Sequence, residues 1–139
     1  MATRAELREL VAQRARRCCE YCRSQERFSA DAFSVDHIVP KTTGGDDDVT
    51  NLAFACQGCN NHKFSATEAV DPHTGQPVPL FNPRKQSWDE HFAWDDTFER
   101  IEGRTASGRA TVARLRLNRP HLINLRCVLR LARAHPPAP

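Results

Sequence analysis

Two cysteine pairs with the same internal spacing, Cys19-Glu20-Tyr21-Cys22 and Cys56-Gln57-Gly58-Cys59, constrain this chain more than any other feature. A Cys-x-x-Cys turn presents two sulfurs to one point in space, and two such turns supply the four ligands of a tetrahedral Zn²⁺ site. Compartment decides whether to read them so. The N-terminus has no apolar signal segment, so the expected location is intracellular, cytoplasmic and reducing, where thiols stay free or bind metal. A thioredoxin-like pair is weakened as an alternative by the presence of two knuckles and the lack of a βαβ pattern. The expectation is therefore a structural zinc on Cys19, Cys22, Cys56 and Cys59, contributing on the order of 10 kcal/mol to folding. Of the other thiols, Cys18 reads as a bystander and Cys127, inside an apolar helical pattern, as a small packing residue.

Zinc would help a chain whose core is modest. At 139 residues it fits one domain that buries roughly two-thirds of its unfolded surface. Aromatic residues make up only 7% and charged residues 27%, which suits a small core stapled by metal. No apolar run of about 18 residues exists, so no spanning helix and no membrane partner are expected.

Between the knuckles lies the chemistry. Phe33-Ser34-Val35 reads as a strand that delivers Asp36 and His37; neighbours in a strand face opposite sides, but at a strand end both can converge. A hard divalent cation, Mg²⁺ or Mn²⁺, takes oxygen ligands, which the Asp36 carboxylate and the Asn60 amide oxygen would supply. His37 is then free to accept a proton from water, because an imidazole titrates near neutral pH. Alone, Asp-His would be a chance dipeptide. Its company is Asn51, then Cys56-x-x-Cys59 followed by Asn60 and Lys63.

Through Asp36-His37-Ile38-Val39-Pro40, Gly44-Gly45, Asn51-Leu52 and Cys56-x-x-Cys59-Asn60-x-x-Lys63, the sequence resembles the HNH endonucleases, the nucleases with a ββα-metal finger. The match covers about the central third of the chain. The resemblance implies a two-stranded ribbon and a helix, with His37 as general base, Asp36 as metal ligand and Asn51 orienting the His37 ring. Where the family name expects a third-position histidine this chain has Asn60, an HNN-type variant, and the ligand role is carried to Asn60. His62, two residues on, points to another side of the helix and reads as a phosphate contact or a solvated residue. Lys63 shares a face with Asn60 and reads equally as a phosphate contact or a surface lysine. Arg84, in an extended apolar-basic segment, is free for a phosphate.

The remaining elements follow from local signals. Thr3-Arg-Ala-Glu6 has capping-box spacing and opens a helix to about Arg17, with Arg4, Arg8, Arg14, Arg16 and Arg17 facing phosphates or solvent. Pro40 to Asp48 reads as a loop in which Asp46, Asp47 and Asp48 form a solvated acidic turn. Asn51–Ala55 is the second strand, and a helix runs from about Gln57 to Thr67. Prolines forbid long regular structure from Asp71 to Pro83. Trp88–Trp94 and Phe98–Glu102 suggest a hairpin whose aromatic residues pack in the core. Ser107 caps a helix to about Asn118, and Pro120 starts another that ends near Ala134 and carries the apolar stripe Leu122, Leu125, Leu129 and Ala132.

Charge is unevenly distributed. Residues 103–139 hold eight arginines and no acid, a net +8, against −8 on residues 31–102. Those arginines either grip a duplex backbone by counterion release or dock on the acidic body. The fold class expected is α+β: a ββα-metal core with an N-terminal helix, an added hairpin and C-terminal helices. Residues 1–139 read as one nuclease domain: helix and first knuckle to 30, core 31–70, loop and hairpin 71–102, basic helices 103–135 and a disordered tail 136–139. The expected function is metal-dependent endonucleolytic cleavage of double-stranded DNA. The alternative is a zinc-stabilised, non-catalytic nucleic-acid-binding module.

Overall fold

A computed structural model describes residues 2–138. Helix α1 (Arg4–Arg14) opens on the expected capping box: Glu6 N donates to Thr3 Oγ1 at 3.1 Å and Thr3 N to Glu6 Oε2 at 3.0 Å. It stops short of Arg17 because Arg16 and Arg17 take left-handed backbone angles that turn the chain into the first knuckle. Val11 and Ala12 are fully buried on its inner face. Its arginines do not all wait for phosphate. Arg8 donates to the Phe33 carbonyl and Glu26, and Arg14 to the carbonyls of Val49 and Leu52, which fastens α1 to the segments beside the catalytic candidates.

Strands β1 (Ser34–His37) and β2 (Leu52–Ala55) form an antiparallel ribbon with Asp36 opposite Ala53 and His37 opposite Leu52. The first knuckle adds itself to the outer edge of β2. Glu20 N donates to the Phe54 carbonyl and Phe54 N to the Glu20 carboxylate, both at 2.8 Å. Helix α2 (Gln57–Lys63) follows at once, ending earlier than Thr67 because Phe64 takes a φ of +52°. The result is a ββα unit clasped by α1 and the first knuckle.

Two more hairpins extend it. Strands β3 (Glu68–Val70) and β4 (Pro77–Pro79) pair across the Asp71–Gly75 turn, with strands too short for the prolines to interrupt. The hairpin expected from Trp88 is only half strand: Trp88–His91 is the helical turn α3, and β5 (Phe92–Trp94) pairs with β6 (Ile101–Gly103). Of the aromatic residues expected in the core, Trp88 and Phe92 are buried, stacked near Phe81 and Tyr21, whereas Trp94 is half-buried and Phe98 exposed. Burying each such side chain contributes roughly 1.5–3 kcal/mol.

Helix α4 (Ala106–Leu115) is capped by Thr105, whose hydroxyl accepts from Gly108 N at 3.0 Å, rather than by Ser107. Helix α5 (Pro120–Leu131) starts on Pro120 as expected. Its inner stripe is Leu122, Leu125, Arg126 and Leu129, so Ala132 falls beyond the helix and Cys127 is exposed, not packed. Arg126 is 3% exposed, donates to the Leu117 and Glu99 carbonyls and lies over the Trp94 ring.

Docking on the body accounts for much of the C-terminal charge. Arg109 makes a two-pronged pair with the buried Asp71, at 2.8 and 2.9 Å, and Arg104 and Arg130 bond the Asp89 and Thr97 carbonyls. The Arg109 hydrogen bond, with help from His73 N and the Thr74 hydroxyl, holds the Asp71 carboxyl far below the usual carboxylate range. Residues 136–138 form no regular element, and Pro139 of the expected disordered tail lies outside the described residues. The architecture is α+β, a mixture, among the described residues, of five α-helices and small antiparallel hairpins. Among the described residues no helix is long and apolar enough to cross a membrane.

Candidate functional site

The four sulfurs come together. Each knuckle folds over its first cysteine: Cys22 N lies 3.5 Å from Cys19 Sγ, and Cys59 N lies 3.4 Å from Cys56 Sγ, which also caps α2. The Sγ atoms of Cys19, Cys22, Cys56 and Cys59 all lie within 4.8 Å of one another, and every one of these residues is buried. Tetrahedral zinc with Zn–S bonds near 2.3 Å sets sulfurs roughly 3.8 Å apart, so the cluster fits that ion. Hydrogen bonds from the other thiols hold Cys22 and Cys56 below the ordinary thiol value, while burial pushes Cys19 well above it. Four buried thiols cannot all ionise without a cation among them. Cys18 stays outside the set, its sulfur near the Arg16 carbonyl.

A guanidinium covers the cluster. Arg119 places Nη1 3.8 Å from Cys59 Sγ and Nη2 3.7 Å from Cys56 Sγ. It can do so because residue 58 is glycine: a Cβ there would sit 2.6 Å from Arg119 Nη2.

At the other end of the ββα unit, strand alternation separates the two candidate residues of β1. Asp36 turns inward and is 3% exposed. The Tyr21 hydroxyl donates to its Oδ2 at 2.8 Å, and Lys63 Nζ lies 3.3 Å from Oδ1 and 3.2 Å from Oδ2. Burial pushes the Asp36 carboxyl up, against the pull of Lys63 and the Tyr21 hydrogen bond. Lys63 is neither a surface lysine nor a phosphate contact. It is 1% exposed and donates as well to the His37 and Ile38 carbonyls, because the helix face it shares with Asn60 packs down on β1.

His37 turns outward, its side chain 30% exposed, with Nε2 2.7 Å from Asp47 Oδ1. The His37 and Lys41 hydrogen bonds lower the Asp47 pKa, so this carboxylate accepts and the ring proton belongs on Nε2. Asn51 acts on the loop rather than on the ring. Its Oδ1 accepts from Val39 N at 2.9 Å, and its Nδ2 donates to the carbonyls of Val39 and Asp46, which fixes the segment bearing Asp47. Gly45 lets that segment close: a Cβ there would lie 1.7 Å from the Val39 carbonyl oxygen. Asn60 is half-buried on α2, and its side chain makes no hydrogen bond to another described residue.

Two expected phosphate contacts part company. Arg84 is spent internally, on the Glu20 carboxylate and the Leu52 carbonyl. His62 stays half-buried at a cleft shared with α4 and α5, its pKa lowered by burial and then by Arg119, Arg116 and Arg114. Sequence reasoning misses Asp47, which looks like one of three solvated aspartates, and also Tyr21, Glu20 and Arg119. Only Tyr21 and Glu20 carry a signal, as the two residues enclosed by the first knuckle.

Residues 19–65 match a family model described as HNH endonuclease, which covers about a third of the chain. The match spans both knuckles, β1, β2 and α2. No curated protein and no solved structure matches the chain.

Proposed function

We propose that this chain, acting as one domain, is a metal-dependent endonuclease that hydrolyses phosphodiester bonds of double-stranded DNA. The observation that carries the reading is His37 at the open end of β1, its Nε2 tied to Asp47 and its other face free. With the proton on Nε2, Nδ1 is the nitrogen that takes a proton from water. The hydroxide so formed attacks phosphorus in line, the bond to the 3′-oxygen breaks, that oxygen takes a proton from solvent, and the products carry 5′-phosphate and 3′-hydroxyl ends. Asp47 holds the ring and favours the imidazolium that forms, while Asn51 holds Asp47 in place.

Asp36 and the unpartnered Asn60 amide would be the oxygen donors to Mg²⁺ or Mn²⁺, a donor set that suits a hard cation. When bound, such an ion supplies neutralising charge at the scissile phosphate. Asp36 would share its carboxylate with the Lys63 ammonium, so the affinity expected is weak. Zn²⁺ on the four cysteines is structural and takes no part in the reaction.

One observation favours a second reading. Tyr21 and Lys63 satisfy Asp36 from within, as a scaffold would need in a zinc-stabilised module that binds nucleic acid without cutting it. Supercoiled plasmid separates the two: His37→Ala is expected to lower Mg²⁺-dependent nicking by at least about a hundredfold with zinc content and DNA binding unchanged. Mobility shifts without nicking by the unaltered chain would establish the binding module instead.

A further inference from the structure

The cleft beside the zinc cluster has a use of its own. It opens between the C-terminal end of α2 and the α4–α5 junction, has a volume of about 440 Å³, and takes its basic wall from His62, Arg116, Arg119 and His121. No carboxylate lines it. Arg119 is committed to sulfur and to the carbonyls of Leu115 and Arg116, so it contributes positive charge but few free donors. Arg116 differs. It is exposed, and its guanidinium makes no hydrogen bond or ion pair with a described residue, whereas Arg104, Arg109, Arg126 and Arg130 are bound to the body. It also ends α4 with a φ of +50°, a left-handed cap where glycine would be unstrained. An arginine at that position costs the fold something that its side chain does not recover inside the protein.

We propose that this cleft is a backbone-binding site for duplex DNA, seating a phosphodiester anion away from the scissile bond, with Arg116 as its principal donor and His62 and His121 beside it. The proposal rests on the nuclease reading for its ligand, and it lets the segment beyond the family match anchor the substrate while His37 acts. Guanidinium forks recognise phosphate oxygens in pairs, and a site open along one side admits a continuing chain.

Binding is measured by fluorescence anisotropy of a labelled duplex, without divalent ions, in the His37→Ala background, over a series of salt concentrations. Arg116→Gly is expected to weaken binding on the order of tenfold and to reduce the slope of log K against log salt by about one. Its melting temperature should equal or exceed that of the parent, because glycine relieves the left-handed cap. Arg116→Lys should keep most of the affinity. Unchanged affinity and slope in Arg116→Gly overturn the site, as does an equal loss in Arg116→Lys accompanied by a fall in melting temperature. Displacement of the duplex by inorganic phosphate at constant ionic strength would mean a free-phosphate site and overturn the duplex assignment. Failure of the unaltered chain to nick plasmid, with the Arg116 effect intact, removes the nuclease reading and leaves the cleft standing.

Discussion

The two ends of the ββα unit use the same elements and solve opposite problems. At one end four sulfurs from two local turns meet in a closed, buried cluster under the Arg119 guanidinium. At the other, Asp36 is sealed against Tyr21 and Lys63 while its neighbour His37 faces outward to Asp47. The difference lies in how each is assembled. A Cys-x-x-Cys turn brings its thiols together by local backbone geometry, so only two pieces need to be docked. The oxygen and imidazole groups come singly from β1, the following loop and α2, and strand alternation sends adjacent residues to different faces. A closed site suits a resident ion that stabilises the fold; a half-open one suits a substrate that arrives and leaves.

Three measurements put this contrast at risk. The largest effect is expected from Cys59→Ser, or from chelation of the unaltered chain: loss of a structural zinc worth on the order of 10 kcal/mol should unfold the ββα unit, read by circular dichroism and zinc content. A chain that keeps its fold without zinc would show that the sulfur end is no more obligatory than the oxygen end. Next comes Lys63→Met, which strips a buried carboxylate of its charged partner and should cost about 3–5 kcal/mol in denaturant unfolding. Adding Asp36→Asn should restore part of that loss. Equal stability of Lys63→Met and the parent would mean that Asp36 does not depend on Lys63. The smallest effect is expected from Gly58→Ala. Alanine favours a helix by up to about 1 kcal/mol over glycine, yet its Cβ must push Arg119 off the sulfurs, so zinc should bind roughly tenfold more weakly with global stability little changed. Chelator-driven zinc release checks this, and an unchanged release rate would take Arg119 out of the cluster.

Legibility in the sequence follows how local each signal is. The capping box of α1, Pro120 at the start of α5 and both cysteine turns are encoded within four residues, and each can be read from the chain alone. The helices ending at Arg14, Lys63 and Leu115 are shorter than their sequences suggest because arginine and phenylalanine, which give no stop signal, adopt left-handed angles there. Cys127 is exposed and Arg126 buried for the same kind of reason: periodicity marks a face as inward but does not say that a guanidinium will find carbonyls waiting on it. Lys63 reads as a phosphate contact or a surface residue because its partners, Asp36 and two carbonyls of the β1 end, lie more than twenty residues away in the chain.

Spacing and side-chain chemistry are local properties, and they were enough to mark the four cysteines that cluster, the ββα order and the place of His37 at the end of a strand. What each charge faces was settled only by folding. The fold gave Asp36 to Lys63, His37 to Asp47, Arg84 to Glu20 and Arg119 to the sulfurs, and left Arg116 facing an open cleft. Charges pair by distance in space, and no periodicity along a chain records that distance.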